Sequence, residues 1–166
     1  MLWPGPQVLP GWFEALKLGM SEDEVRGALG SPGRPWARGV GGLLWEMEMV
    51  IVKAAFEEGK ANYIDIYFTL GQRPQTQAAA LRELTVGMPF TEVERLCGGP
   101  GLVRSRLLSA GVPAVPQHGF EGFPESVTDS REWMIFDGDY DAGASLTIHV
   151  QNGRVLTIRH PWGEKR

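Results

Sequence analysis

Residues 13–33 read FEALKLGMSEDEVRGALGSPG and residues 81–101 read LRELTVGMPFTEVERLCGGPG, and shifted by 68 the two overlay without a gap. Leu16/Leu84, Gly19/Gly87, Met20/Met88, Glu24/Glu92, Val25/Val93, Gly30/Gly98, Pro32/Pro100 and Gly33/Gly101 are identical, eight pairs over 21 positions. The shared residues are apolar anchors and chain punctuation, with one charged pair among them. A duplicated structural unit, with no catalytic kit inside it, accounts for that selection. The question is then what surface the chain presents.

Working outward, each copy predicts a pair of helices followed by strands. Short helices are expected over 10–18 and 76–86, where Phe13, Leu16 and Leu81, Leu84 recur at three-residue spacing. A Gly-Met follows, then a second helix. Ser21-Glu-Asp-Glu24 is a capping box, in which the hydroxyl takes an orphan N–H and Glu24 reaches back. Val25, Ala28 and Leu29 form the buried stripe; Gly30 ends the helix and Pro32 blocks its resumption. In the second copy Val93, Leu96 and Cys97 form the stripe, Gly98 and Pro100 the stop. Pro89 replaces Ser21 there, so the cap is lost or moves to Thr91, with Glu94 three residues on.

After each helix pair the period becomes strand-like. Strands are expected over 43–56 and 61–70, joined around Glu57-Glu-Gly-Lys60, and over 132–136, 145–150 and 154–160. Gln151-Asn-Gly-Arg154 is the best hairpin signal, because Asn-Gly supplies the positive φ angles of a type I′ turn. Trp45 and Trp133 fall at corresponding places. The prediction is an α+β fold, a tandem repeat of helix–helix–antiparallel strands over 1–75 and 76–166. One continuous curved sheet carries the helices packed on one face, and a Gly/Pro-rich insertion near 101–130 lengthens the second unit.

Composition narrows the function. The 166 residues are 43% apolar and 22% charged, ordinary globular values. Sixteen Lys+Arg against 20 Asp+Glu leave a net charge of −4, which argues against nucleic acid or an anionic membrane as partner and suits a basic protein. The single cysteine, Cys97, excludes an intramolecular disulfide framework, and its place opposite Leu29 in the repeat makes it a small buried hydrophobe. The opening MLWPGPQVLPGW has no basic n-region, and no apolar run approaches the ~20 residues of a membrane span. A soluble, cytoplasmic protein is expected.

No catalytic constellation stands out. His118, His149 and His160 are scattered without metal-ligand spacing, Gly143-Ala-Ser145-Leu-Thr147 lacks the closing Gly of a nucleophile elbow, and Gly98-Gly-Pro-Gly101 is a helix stop. No cofactor or metal is expected, and the chain is not expected to be an enzyme. Asp137, Asp139 and Asp141 alternate in FDGDYDAG, but the sixth and twelfth positions of a calcium loop would be Ala142 and Ile148. A solvated turn, or an acidic prong tipped by Tyr140 and aimed at a basic cleft, are the other readings of that segment.

The twin signature, Gly19-Met20…Val25…Gly30-Ser-Pro32 and Gly87-Met88…Val93…Gly98-Gly-Pro100, resembles the β-lactamase-inhibitor-protein-like fold family. It is also similar to the SmpA/OmlA (BamE-like) envelope lipoproteins. Phe136-Asp-Gly-Asp-Tyr140 stands where the inhibitor carries a similar loop before a strand. The resemblance implies a protein-binding inhibitor. One cysteine departs from the disulfide-bonded secreted inhibitor, and no lipidated cysteine stands near the start, which leaves a cytoplasmic bacterial immunity protein that occludes a toxin or enzyme with its concave sheet and hairpin loops. A non-inhibitory scaffolding module is the alternative. The expected partner-binding residues are Phe136, Asp137, Asp139, Tyr140 and Asp141 in the loop, with Trp45, Tyr63, Tyr67 and Trp133 on strands whose alternation would expose some of them.

Overall fold

The computed structural model describes residues 7–36, 42–110, 126–136 and 144–166. Ten strands dominate: β1 (Arg34–Pro35), β2 (Leu43–Met47), β3 (Val50–Glu57), β4 (Lys60–Phe68), β5 (Gln75–Gln77), β6 (Leu102–Ser109), β7 (Ser126–Phe136), β8 (Ser145–Gln151), β9 (Arg154–His160) and β10 (Gly163–Lys165). Among the described residues there are two α-helices, α1 (Glu22–Leu29) and α2 (Phe90–Cys97), and one 3-10 turn over Ala78–Arg82. The strands follow the order β1-β2-β3-β4-β6-β7-β8-β9-β10, antiparallel in every pair between β1 and β4 and between β7 and β10, while β5 runs parallel to β7.

This corrects the expected architecture. The helix–helix–strand repeat, with a layer of paired helices packed on the sheet, does not form; the molecule is mostly open antiparallel sheet. The first expected helix of each pair fails for a physical reason. Residues 10–18 open on Pro10-Gly11 and close on Gly19, with no Ser, Thr, Asp or Asn at their start to cap a helix. They make turns instead, with Phe13 N–H donating to Pro10 O and Leu16 N–H to Trp12 O, both at 3.0 Å. In the second copy Gln75–Gln77 is drawn into pairing with β7, and the rest tightens into the 3-10 turn. The expected strand over 43–56 is also divided, turning at Glu48-Met49 into the β2–β3 hairpin.

The described residues divide into two compact units. One holds Val8–Leu70 and the end of β6 from Arg106; the other holds Gln7, Gly71–Ser105 and Thr128–Arg166. Within each, the duplicated segment has the same local geometry. Ser21 closes its capping box on Glu24, with Oγ accepting from Glu24 N–H at 3.1 Å. Pro89 offers no side-chain cap, and the second helix satisfies Phe90 N–H on Gly153 O at 2.8 Å. Both helices stop at a left-handed glycine, Gly30 with φ 73° and Gly98 with φ 80°. Gly19 N–H donates to Ala61 O while Ala61 N–H returns to Met20 O; Gly87 and Met88 do the same with Val155. Each Gly-Met therefore pins the start of its helix to a strand that leaves a hairpin of its own unit, β4 in one and β9 in the other. Those hairpins are two-residue turns with positive φ throughout, Glu58-Gly59 and Asn152-Gly153.

Strand alternation then sorts the side chains. In the first unit Leu43, Trp45, Val50, Val52, Ala54, Ile64, Ile66 and Phe68 are buried, as are Phe13, Leu16, Val25 and Leu29, and Phe13 packs on Phe68 at 5.8 Å. In the second, Val93 and Cys97 of α2 join Trp133, Ile135, Leu146, Ile148, Val155 and Ile158 in one cluster. Burial pushes the Cys97 thiol up, so it stays protonated and packs as a small apolar group. A buried ion pair, Arg131 to Asp129 at 2.7 Å, lies on the inward face of β7, with the guanidinium 4.9 Å from the Phe90 ring. No helix among the described residues is long and apolar enough to cross a membrane.

In each unit a glycine lies close against an indole. A Cβ on Gly33 would stand 2.7 Å from the Trp45 ring, and one on Gly101 would stand 2.6 Å from Trp133. Both glycines also hold positive φ, 70° and 73°. Gly33→Ala and Gly101→Ala should each lower stability by about 3 kcal/mol in denaturant unfolding, from steric conflict added to left-handed strain. Gly30→Ala, equally left-handed but with nothing within 4 Å of its Cβ, should cost only about 1 kcal/mol. The indoles differ in one respect. Trp45 Nε1 donates to Ser31 O at 2.8 Å, whereas Trp133 Nε1 is buried with no partner among the described residues. Trp45→Phe should therefore destabilise by about 1 kcal/mol more than Trp133→Phe, measured by the same unfolding experiment.

Candidate functional site

The face of β2, β3 and β4 opposite the first unit's core is built by the same alternation that fills that core. With Val50, Val52 and Ala54 inward, Ile51, Lys53 and Ala55 point outward; with Ile64, Ile66 and Phe68 inward, Tyr63, Asp65 and Tyr67 do. The register sets these side chains in rows: Ala55 opposite Tyr63, Leu44 opposite Lys53 opposite Asp65, and Glu46 opposite Ile51 opposite Tyr67. Trp36, just past β1, stacks on Tyr63 with ring centroids 6.0 Å apart and planes 26° from parallel. Lys53 Nζ lies 5.3 Å from the Trp36 ring. Arg34, on the edge strand, forms an ion pair with Glu46.

The electrostatics of this strip follow from partial burial. Asp65 is half-covered, and burial raises its carboxyl above the ordinary range against the pull of Lys53, which lowers it. Burial also raises the Tyr63 phenol, with the nearby Asp65 charge adding in the same direction. Tyr67 is 44% exposed at the end of the strip, and Met49 and Leu70 are exposed at the same end of the β3–β4 pair. Met49 holds φ 131° in the tight β2–β3 turn, a strained conformation for a residue with a Cβ. The arrangement offers a flat stacked aromatic pair, opposite charges on neighbouring strands at Lys53 and the half-covered Asp65, and an apolar margin. It suits recognition of a surface rather than bond-making chemistry.

The second unit's outward face is of another kind. Arg104 pairs with Glu132 at 3.1 Å, Arg159 with Glu164 at 3.5 Å, and His149 Nδ1 meets Thr157 Oγ1 at 2.7 Å. Burial, then the neighbouring Arg159 charge, hold His149 below its usual value, with Glu164 opposing them. These polar groups satisfy one another and leave little aromatic area for a partner.

The sequence-predicted residues are distributed unevenly. Tyr63 and Tyr67 stand together on the outward face of β4. Phe136 is exposed at the end of β7, in the other unit. Trp45 and Trp133 are buried, each under a glycine of its own helix exit, and belong to the cores instead of to an exposed sheet face. Asp137, Asp139, Tyr140 and Asp141 lie outside the described residues. Trp36, Ile51, Lys53 and Asp65 were missed. The alternation Val50-Ile-Val-Lys-Ala54 carried the signal for Ile51 and Lys53, and Tyr63-Ile-Asp-Ile-Tyr67 carried it for Asp65; nothing in the sequence placed Trp36 over Tyr63.

The raised Asp65 carboxyl has a consequence for stability. Its folded form holds the proton more tightly than the unfolded chain does, so its contribution is fully present below the unfolded pKa and is lost as pH rises through the folded one. Asp65→Asn should therefore be more stable than the parent at neutral pH. It should also remove part of the decline seen as pH rises through the carboxylate range, which thermal unfolding across a pH series would measure.

Comparison by sequence finds no protein family whose model this chain matches, and no characterised protein that it matches.

Proposed function

We propose that this chain is a non-catalytic, protein-binding inhibitor of the bacterial immunity-protein kind, acting in the cytoplasm by covering its partner's active site. The observation that carries the reading is the outward strip of β2–β4, where Trp36 stacks on Tyr63 beside Lys53 and Asp65, and Tyr67 stands exposed at its end. Aromatic rings of this kind bury large areas at small entropic cost, and a partly desolvated charge pair in their midst discriminates between partners. The twin Gly-Met…Gly-x-Pro signature supports the same reading through its resemblance to inhibitor proteins. The acidic segment that follows Phe136 supports it too, because it suits a cationic cleft.

The partner is a protein with a complementary flat surface and a basic cleft; the reading calls for no metal, cofactor, nucleic acid or membrane. Capture from the native cytoplasm with the chain as bait should recover one dominant protein, and adding the chain to that protein should suppress its activity at one-to-one stoichiometry. Tyr67→Ala and Trp36→Ala should each weaken the complex by about 2 kcal/mol in calorimetry while leaving the fold intact. A captured protein that binds both variants as tightly as the parent removes this strip from the interface. One that is bound through the strip but not inhibited makes the chain a scaffolding module.

A further inference from the structure

We infer a second binding site, on the other unit, that takes an acidic, aromatic-bearing segment of a partner protein. A depression of about 390 Å³ lies between the 3-10 turn and the β9–β10 hairpin, lined by Ala78, Leu81, Arg82, His160, Trp162 and Lys165. Ala78 and Leu81 give it an apolar floor. Trp162 is 59% exposed, and its ring lies 5.9 Å from that of His160 at 46°. His160 Nδ1 accepts from Trp162 N–H at 3.2 Å, which leaves Nε2 as the donor of the ring. Lys165 Nζ donates to Leu84 O at 2.9 Å and Leu81 O at 3.4 Å, which anchors the ammonium at the end of the 3-10 turn with one donor to spare. Arg82 has no ion pair among the described residues.

The charge of this depression sets it apart. The chain carries a net −4, yet none of the six lining residues is acidic, and two are basic, Arg82 and Lys165. Two acids adjoin lining residues in sequence: Glu164 alternates to the other face of β10 and pairs with Arg159 and Arg166, and Glu83, next to Arg82, is exposed and acts electrostatically on Arg95. A carboxylate entering here meets Arg82, Lys165 and the His160 donor together, and the exposed Trp162 face is free to take a ring beside it. The depression leaves Trp162 largely uncovered, whereas small-molecule sites usually bury most of the ligand's surface and a peptide supplies its own cover. The occupant is therefore an extended segment with alternating carboxylate and aromatic side chains. The site is independent of the β2–β4 strip.

A random glutamate–tyrosine copolymer added to the ¹⁵N-labelled full chain tests this. The Trp162 indole resonance should move, and Trp162→Ala and Arg82→Glu should each weaken binding roughly tenfold, since an aromatic anchor and a paired charge are both removed. Lys17→Glu, the same charge reversal on the other unit, should leave binding unchanged, and so should Tyr67→Ala, which separates this result from the fate of the inhibitor reading. Polyglutamate should bind more weakly than the copolymer. If Arg82→Glu lowers the thermal midpoint, Arg82→Gln takes its place. An unmoved Trp162 resonance overturns the proposal, as does equal binding by the Trp162 and Arg82 variants. Benzoate or inorganic phosphate moving the resonance as strongly as the copolymer also overturns it, in favour of a small-anion site.

Discussion

Both units depend on one contact, a left-handed glycine laid against the face of a tryptophan. Gly33 and Gly101 leave the α-helix at positive φ, and their missing side chains let the backbone come down onto Trp45 and Trp133. The indole in turn is the largest inward side chain on its own strand, β2 in one unit and β7 in the other. Helix exit, strand entry and core are thereby joined at a single point, where neither a larger residue nor a different backbone angle fits. The glycine and the indole are present in both copies because each half of the contact is useless without the other.

A second link closes each unit from the opposite side. The Gly-Met before the helix exchanges backbone hydrogen bonds with β4 through Ala61 in one case and with β9 through Val155 in the other. A segment of some two helical turns is thus held at both ends by main-chain geometry, which explains why the copies tolerate Ser21 exchanged for Pro89 and Leu29 for Cys97. The first loses a side-chain cap but keeps its backbone anchor; the second puts a smaller apolar group in place of a leucine, in a site that keeps the thiol protonated.

Similar cores leave dissimilar outer faces. One unit shows stacked rings beside a half-covered Asp65 opposite Lys53, and the other a set of polar side chains paired among themselves. Core residues answer to packing, which the duplicated geometry holds constant; outward residues answer only to whatever they meet, so duplication leaves them free to diverge. The function of the chain is therefore sought in the outward rows of β2–β4 and in the cationic depression beside Trp162, and not in the repeated motif by which the chain is first noticed.

Local chemistry was legible in the residues themselves. The Ser21–Glu24 capping box, the stops at Gly30 and Gly98 and the Asn152-Gly153 turn each need only a few neighbouring side chains and a preferred φ, and each stands where its residues predict. The inward stripe Val25, Leu29, Val93 and Cys97 was readable for the same reason. Tertiary structure decided what local preference leaves balanced. Residues 10–18 and 76–86 have helical spacing, but short segments take their conformation from what they pack against, and here one makes turns while the other gives a strand to β7. The turn at Met49 carries no Gly, Pro or Asn, so only the closing of β2 on β3 reveals it. Of the candidate aromatics, alternation alone could say that some face inward. Which ones do was settled by register: Trp45 and Trp133 went under their glycines, and Tyr63 and Tyr67 went outward to meet Trp36, a partner 27 residues away from Tyr63 in the chain. A strand's period is visible in its sequence, but its phase relative to the core is set by the neighbour it pairs with.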